Sequence, residues 1–369
     1  MWRSGSTRRF LRAQREAAHI LAATLELPRP AAFRSHRTPP TILEGRLGGV
    51  FATTVRPALA PPWPTFVFAN GATSDGRSHP VVRRLELALA RSGYAVYIPD
   101  LPGVADGELS PATLAAATEC AMEVADAEET RGGRVGLVGV SIGGTLALLV
   151  AADPQMIARV SVVSCIAPFS DLAKVMLLAT TGMYRALDRL QPYPVPVSLA
   201  VGVARSLAGM LPAAGDAQAL SRELRTLTPD TGDPLSPLRA PSREPLGPES
   251  AAVRALLANR DPERFDALYS ALPHAIRETV EALSPVHCAP RVLARVEIAT
   301  APEDKYFPVA ESLALAALSR GRVTVTSGLA HATPRLDPRD LVDLVGLDRF
   351  FVRTLVAAGS TNNVFAAQE

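Results

Sequence analysis

The stretch GLVGVSIGGTLALLVAA, residues 136–152, decides the fold. An apolar run enters a cluster of glycines, passes one serine, and leaves as another apolar run. The first run predicts a buried strand over residues 134–140, and the second predicts a helix over residues 142–152. Ser141 therefore stands at the point where a buried strand turns sharply into a buried helix.

Three kinds of loop place a small polar residue between glycines: a tight turn, a phosphate-binding loop and a nucleophile elbow. A P-loop needs G-x-x-x-x-G-K-[ST], and this segment has no lysine. A dinucleotide-binding turn needs a glycine where Ser141 stands. The segment instead fits G-x-S-x-G, with Gly139 and Gly143 as supports that let the strand and the helix pass closely. The alternative is that Ser141 is only a small turn residue.

A nucleophilic serine needs a base and an acid that orients the base. His331 follows the last predicted strand, and Asp304 follows the strand before it, in the loop of residues 301–308. Both positions lie at the carboxyl edge of a parallel sheet, where ligands bind in open α/β folds. The chain order Ser141, Asp304, His331 is the order that an elbow serine requires. Glu303 remains an alternative acid, and Asp171 is a weaker one that also suits a helix N-cap.

The other histidines fit the role of base less well. His79 is expected to cap a helix near the same edge and to have at most a lining role in a pocket. His19 and His36 precede the sheet, and His274 and His287 fall in or beside a helical insertion. The pair His287-Cys288 is too isolated for a zinc site, so we expect neither a metal nor a cofactor.

The negative charge of a tetrahedral intermediate needs two backbone N–H donors. One is expected from Ile142, directly after the candidate nucleophile, because the N-terminus of a helix favours negative charge. The other is expected from Ala72 in the loop that follows the strand of residues 65–69. Asn70 and Gly71 support this loop, and Gly71 permits the unusual backbone that turns the N–H inward.

Strands and helices alternate along most of the chain, which predicts βαβ units and a parallel sheet. Apolar strands are expected at residues 65–69, 94–98, 134–140, 159–167, 292–300 and 322–326, with one or two weaker opening strands between residues 28 and 60. Expected helices begin at Ser78-His79-Pro80, at Ser110-Pro111 (ending at Gly132-Gly133) and at Pro308, and a last one begins at Asp337-Pro338. The rhythm breaks between residues 171 and 284, where expected helices at residues 172–187, 198–211 and 250–283 flank a proline-rich irregular stretch at residues 228–249.

With these residues in hand, the chain resembles the α/β-hydrolase superfamily over roughly residues 42–170 and 285–360. The resemblance implies an α/β core of residues 42–170 and 285–369, with a mostly parallel sheet and helices on both faces. It also implies a mainly helical cap, or lid, of residues 171–284, inserted after the sixth strand. Residues 1–41 remain as an N-terminal basic helix, at about residues 7–27, and a linker. The family's oxyanion loop often reads His-Gly, and here Asn70 replaces the histidine.

Composition restricts the class of protein. The chain has 369 residues, 48% of them hydrophobic and 20% charged, which is enough for a large globular core. A net charge of +2 argues against a nucleic-acid surface. The three cysteines, Cys120, Cys165 and Cys288, are widely spaced and are expected to be reduced and buried. The first residues show no signal-peptide pattern, and the apolar run of residues 195–211 carries Arg205, so we expect a cytoplasmic protein without a membrane span.

The leading hypothesis is a serine hydrolase that cleaves small-molecule carboxylic esters through an acyl-enzyme on Ser141. The apolar segments at residues 175–183 and 195–211 favour a lipophilic acyl or alcohol group under the cap, although such faces also suit plain packing of the cap on the sheet. An acyltransferase, a thioesterase or an amidase would use the same triad, and GVSIGG occurs in esterases, dienelactone-hydrolase-like proteins and acyltransferases alike. A non-catalytic binding protein on the same fold is a third hypothesis, disfavoured because all three triad positions are filled. The oligomeric state stays open.

Overall fold

The computed structural model describes residues 3–26, 39–186, 189–229, 232–242, 245–331, 333–334 and 341–359. The strands in these residues are β1 (Thr41–Leu47), β2 (Val50–Arg56), β3 (Trp63–Ala69), β4 (Ala95–Pro99), β5 (Thr130–Val140), β6 (Val160–Ile166), β7 (Met183–Ala186), β8 (Arg189–Pro192), β9 (Arg295–Thr300), β10 (Arg322–Val325), β11 (Leu329–Ala330) and β12 (Thr333–Pro334). The helices are α1 (Arg3–Thr24), α2 (Pro80–Arg91), α3 (Pro111–Asp126), α4 (Ile142–Ala151), α5 (Leu172–Thr181), α6 (Val197–Met210), α7 (Gly215–Arg225), α8 (Pro248–Ala258), α9 (Phe265–Ser270), α10 (His274–Ala282), α11 (Val309–Ser319) and α12 (Leu341–Ala358).

The central sheet has the strand order β1-β2-β4-β3-β5-β6-β9-β10, eight strands among the described residues. The pairings from β4 through β3, β5, β6 and β9 to β10 are parallel. Among the eight strands only β2 runs in the opposite direction, because it pairs antiparallel with both β1 and β4. The prediction of a mostly parallel sheet with helices is therefore confirmed, and the carboxyl ends of β3, β5, β6 and β9 meet at one edge.

Apolar side chains alternate between the two faces of the sheet, as the period of a strand requires. Along β3, Val67 and Ala69 belong to one core cluster, and Phe66 and Phe68 belong to another. The first cluster includes residues of α3, α4 and α11, and the second includes residues of α1, α2 and α12. Helices thus cover both faces, which explains why the central strands read as continuous apolar runs.

The chain between β6 and β9 forms an insertion, residues 172–291, which contains α5 to α10 and the β7–β8 hairpin. A cap of residues 171–284 was expected at this place, and that role stays a prediction. The expected helix of residues 172–187 is wrong in its last part, because α5 ends at Thr181, Gly182 follows it with φ +69°, and residues 183–186 form β7. Helix α7 was not expected, and the irregular stretch of residues 228–249 contains only a single 3-10 turn and the start of α8 in its described part.

The expected end of α3 at Gly132-Gly133 is also wrong. The helix ends at Asp126, and β5 begins at Thr130 and includes both glycines. Their φ values of +65° and +62° give the early part of β5 an irregular path, and the pairing of β5 with β3 shifts register between Trp63 and Thr65. A Gly-Gly pair marks a helix end in many sequences, but here it marks a bend inside a strand.

The N-terminal helix α1 packs against the body of the protein. Ala13, Ala17 and Ile20 share a core cluster with residues of α2 and α12. The start of the last helix, expected at Asp337-Pro338, lies outside the described residues. In the described part of the chain, no helix is both long enough and apolar enough to cross a bilayer.

Candidate active site

Ser141 lies on the sharp turn between β5 and α4, with φ +55° and ψ −122°. A residue with a Cβ atom is strained at a positive φ, and such strain persists only where the surroundings impose it. Here the Ser141 N–H donates to the carbonyl of Ile166 on β6 at 2.7 Å, and the Ser141 carbonyl accepts from Gly144 at 2.9 Å. The Ser141 hydroxyl does not cap α4 and is half-buried, so it is free to face a ligand.

Two glycines make this turn sterically possible. A Cβ atom at Gly139 would lie 2.1 Å from the carbonyl oxygen of Gly143, and one at Gly143 would lie 2.1 Å from the carbonyl oxygen of Ala69. Both distances are far below van der Waals contact. The glycine positions of the G-x-S-x-G pattern are therefore needed for close approach of β5, α4 and the end of β3, as the sequence analysis argued.

His331 and Asp304 form a direct contact. Nδ1 of His331 lies 2.8 Å from Oδ2 and 3.0 Å from Oδ1 of Asp304. The Asp304 side chain is fully buried, and Oδ1 also accepts the backbone N–H of Tyr306 at 2.7 Å and of Phe307 at 3.1 Å. The carboxylate is thus held by its own loop and faces the imidazole, which leaves Nε2 as the ring nitrogen available for proton transfer.

Three aromatic residues around this pair were not singled out from the sequence. The Tyr306 ring lies 4.3 Å from the His331 ring, centroid to centroid, and the Phe307 ring meets it edge-on at 5.8 Å. Tyr193, which follows β8 of the insertion, donates its hydroxyl to the backbone carbonyl of Asp304. Burial raises the pKa of Tyr193, so this hydroxyl stays protonated and able to donate. Tyr306 and Phe307 follow Asp304 in the chain, whereas nothing in the sequence connects Tyr193 with it.

The loop after β3 lies against the serine. A Cβ atom at Gly71 would be 3.4 Å from Cβ of Ser141 and 3.2 Å from the carbonyl oxygen of Val140. Asn70, Gly71 and Ala72 line the same cavity as Ser141 and Ile142. Asn70 is buried, and its Oδ1 has no hydrogen-bond partner among the described residues. The loop that was expected to supply the second oxyanion donor is therefore adjacent to the candidate nucleophile.

A cavity of about 550 Å³ joins these groups. This volume is within the usual range for small-molecule sites. Ser141, His331 and Ala72 line it from the core, and Val175 of α5 and Val203 of α6 line it from the insertion. Asp304 is behind His331 and does not line the cavity. The arrangement brings a hydroxyl and an imidazole to one largely apolar space, and the carboxylate that contacts the imidazole is buried outside it.

The remaining candidates have structural roles in the described structure. Nδ1 of His79 accepts the N–H of Val81 and caps α2, although His79 also lines the cavity. The Asp171 carboxylate caps α5 by accepting the N–H of Ala173 at 2.9 Å. Glu303 is exposed, and the carboxylate that accepts the hydrogen bond of His331 Nδ1 belongs to Asp304.

All three cysteines are free and buried, as expected. Burial raises the pKa of Cys120 to about 12 and also raises that of Cys165, so neither thiol resembles a reactive nucleophile. No group of three His, Cys, Asp or Glu residues suited to a metal ion occurs in the part of the chain that the structure describes.

Comparison with known proteins identifies the family. The model of the Alpha/beta hydrolase family matches residues 66–344. No curated protein matches the chain. Among solved structures, an acylaminoacyl peptidase in complex with Z-Gly-Gly-Phe-chloromethyl ketone is 13% identical with a TM-score of 0.44, over 79% of this chain and 37% of that chain. The present chain thus spans well under half the length of that peptidase.

Two shorter proteins match over most of their length. The hormone-sensitive lipase homologue EstE7 from a metagenome library is 13% identical with a TM-score of 0.48, over 96% of this chain and 98% of that chain. Est1E from Butyrivibrio proteoclasticus is 14% identical with a TM-score of 0.45, over 86% and 99%. With TM-scores below 0.5, these structural similarities carry no information about activity. The family assignment depends on the match of the family model to residues 66–344.

Proposed function

Because the chain belongs to the alpha/beta hydrolase family, we propose that it is a serine hydrolase that cleaves carboxylic esters through Ser141, His331 and Asp304. The observation that carries the proposal is the contact of 2.8 Å between His331 Nδ1 and the buried Asp304 carboxylate, at a cavity that Ser141 also lines. A base oriented in this way, at the same cavity as an elbow serine, supports acyl transfer.

In the first half-reaction, Nε2 of His331 takes the proton of the Ser141 hydroxyl while Oγ attacks the ester carbonyl carbon. The π electrons of the carbonyl move to its oxygen, which becomes the oxyanion of a tetrahedral intermediate. Asp304 holds the Nδ1–H and stabilises the imidazolium. When the intermediate collapses, the C–O bond to the alcohol breaks and the imidazolium gives its proton to the departing oxygen. An acyl-enzyme ester on Ser141 remains.

In the second half-reaction, water replaces the alcohol. His331 takes a proton from water as the hydroxide oxygen attacks the acyl carbon, and the same proton returns to Ser141 Oγ as the carboxylic acid leaves. In each half-reaction His331 first takes a proton from the attacking oxygen and then gives it to the leaving oxygen. Protein side chains and water therefore account for every proton transfer and for every bond made or broken.

The oxyanion is proposed to accept the backbone N–H groups of Ile142 and Ala72. Ile142 is the first residue of α4, where helix N–H groups lack intrahelical partners. The close packing of Gly71 against Ser141 supports a position for the neighbouring Ala72 N–H beside the same oxygen. Removal of one such donor in other enzymes costs about 10²–10³ in kcat.

The insertion is proposed to act as a cap. Side chains of α5 and α6 line the cavity that also contains Ser141, so the insertion covers the space in which the ester would react. Exclusion of bulk water strengthens hydrogen bonds to the developing oxyanion. Its apolar lining residues, such as Val175, Leu199 and Val203, support a substrate with a lipophilic acyl or alcohol group.

The test is hydrolysis of a series of p-nitrophenyl esters by the wild type and by Ser141→Ala. We expect Ser141→Ala to lose about 10³-fold or more in kcat/KM, because the acyl acceptor is gone. Ser198→Ala is the matched control, since Ser198 also lines the cavity but lies on α6; it should stay within a few-fold of the wild type. Equal rates for Ser141→Ala and the wild type would contradict the proposal.

A second arm separates hydrolysis from transfer. Alcohol, amine and thiol acceptors are added to the assay, and the products are resolved chromatographically. Free acid as the main product supports a hydrolase, and acyl transfer to an added acceptor in preference to water supports an acyltransferase. Amide and thioester analogues of the best ester measure which leaving group the site prefers.

A further inference from the structure

The cavity extends from Ser141 to the N-terminal helix. Leu21 and Thr24 of α1 line it, together with Leu85 of α2 and with Leu347 and Phe351 of α12. Helix α1 precedes the first strand and lies outside residues 66–344, the part of the chain that the family model matches. One wall of the cavity is therefore made by an element that the shared part of the fold does not include.

This wall is held in place by the rest of the protein. Leu21 shares a core cluster with Leu347 of α12 and with Leu329, which is two residues before His331. The Gln14 side chain donates to the carboxylate of Asp348 on α12. Tyr94 donates its hydroxyl to Glu16 of α1 at 2.9 Å. Because these packing contacts and hydrogen bonds hold α1 on the core, α1 forms a fixed end of the cavity.

The surfaces that α1, α2 and α12 contribute to this end are apolar. Val82, Leu85, Leu347 and Phe351 have hydrocarbon side chains, and the hydroxyl of Thr24 is already bonded to the carbonyl of Ile20 at 2.8 Å. Apart from His331 and the adjacent Tyr306, three ionisable residues line the cavity in the described part of the chain. Two of them, Arg205 of α6 and Asp106, pair with each other at 2.9 Å. The third, His79, caps the start of α2. A group bound against α1 would meet no free charge there.

We propose that the space between α1, α2 and α12 binds the hydrocarbon group of the substrate, and that Leu21 and Phe351 limit its length. The identity of the substrate as an ester rests on the proposed function, but the binding of a hydrocarbon group here does not. Burial of each methylene in such a space strengthens binding by about fourfold until the chain meets the wall. Helix α1 thereby becomes a specificity element of the site.

The test measures binding of n-alkanols, from butanol to decanol, to the Ser141→Ala protein by calorimetry. We expect affinity to rise by about fourfold per carbon and then to level off at one chain length. Adding Leu21→Trp should move that plateau to a shorter alkanol, and adding Leu21→Ala or Phe351→Ala should move it to a longer one. Leu11→Trp is the matched control, because Leu11 lies on the same helix and is 62% exposed; it should leave the plateau unchanged.

Two results would overturn the inference: affinity that does not depend on chain length, or a plateau that stays at the same alkanol in all three wall variants. The enlarging and reducing substitutions predict opposite shifts, so loss of folding in one of them leaves the other decisive. Because no turnover is needed, the alkanol series gives its answer even if the wild type hydrolyses no ester. A wild type that hydrolyses no ester would contradict the proposed function but not the binding of a hydrocarbon group at α1.

Discussion

Nδ1 of His331 lies 2.8 Å from Oδ2 of Asp304, although 26 residues and the whole of α11 and β10 separate the two in the chain. The Asp304 carboxylate is fully buried and is also held by two backbone N–H groups of its own loop. His331 itself has φ +55°, an unfavourable backbone for a residue with a Cβ atom. The backbone at His331 is thus held in a strained state at the point where its ring meets the acid.

Asp304→Asn should retain the fold but lose about 10³–10⁴ in kcat, because an amide cannot stabilise the imidazolium and favours the wrong tautomer. Steady-state hydrolysis of a p-nitrophenyl ester measures the change. Glu303→Gln is the matched control, since Glu303 is adjacent and exposed, and it should stay near the wild-type rate. A large loss of kcat in Glu303→Gln, with a small loss in Asp304→Asn, would mean that Glu303 and not Asp304 is the acid that orients His331.

Tyr193→Phe should lower kcat by about fivefold with little change in KM, since one hydrogen bond to the Asp304 loop is lost. The control is Tyr184→Phe, which removes the hydrogen bond of 3.0 Å to the buried Glu311. That control should lower the free energy of unfolding by about 1–3 kcal/mol and leave kcat within about twofold of the wild type. If Tyr193→Phe changes only the stability, Tyr193 has no positioning role.

Gly143→Ala should destabilise the protein by more than about 3 kcal/mol, because the new methyl group would lie 2.1 Å from a backbone carbonyl that cannot rotate away. Urea unfolding measures the loss. Gly45→Ala on β1 is the matched control, since a Cβ there would meet no described atom within 4 Å. Similar unfolding midpoints for the two variants would mean that the elbow is less closely packed than described.

Glu86→Gln tests a buried carboxyl on α2. Glu86 is 1% exposed, and burial raises the pKa of its carboxyl above the ordinary value of about 4.3. Because the pKa of Glu86 is raised in the folded state, its carboxyl contributes most to stability below about pH 4.3. That contribution is lost as the pH rises through the folded-state pKa. Glutamine does not titrate, so the stability of Glu86→Gln relative to the wild type should increase from pH 4 to pH 7. A relative stability that is constant or falls over this range contradicts the expectation.

The parts of the fold with strong local signals were predictable. The run around Ser141 predicts a strand, a turn and a helix because its glycines and apolar residues satisfy only that arrangement, and β5, Ser141 and α4 follow it. His79 was expected to cap a helix, and Asp171 was a weaker candidate acid that also suited an N-cap; in the structure both cap helices. In each case the deciding interactions are between residues close in the sequence.

The errors have a physical cause in common. Met183, Tyr184 and Ala186 would also suit a helix, so only the left-handed turn at Gly182 and pairing with residues 189–192 make this segment a strand. Gly132-Gly133 resembles a helix end, but both glycines lie within β5, in the irregular stretch between its paired residues Thr130 and Val135. In these places tertiary pairing overrides local propensity.

The surroundings of the candidate site were the least predictable part. Tyr193 reaches Asp304 from a hairpin 111 residues away, and Leu21 of α1 lines the cavity from the other end of the chain. No periodicity or motif connects such residues, because their proximity depends on how the insertion and α1 pack on the core. A lipophilic group was expected under the insertion alone, whereas the cavity extends beyond the insertion to α1 and α12.

The most direct test of the central claim is to locate the reactive serine with a fluorophosphonate probe, using peptide mass spectrometry of the labelled protein. The account predicts one adduct, on Ser141, which disappears in Ser141→Ala and is strongly slowed in His331→Ala. Absence of label on the wild type, under conditions that label a known serine esterase, or label that persists in Ser141→Ala, would contradict it.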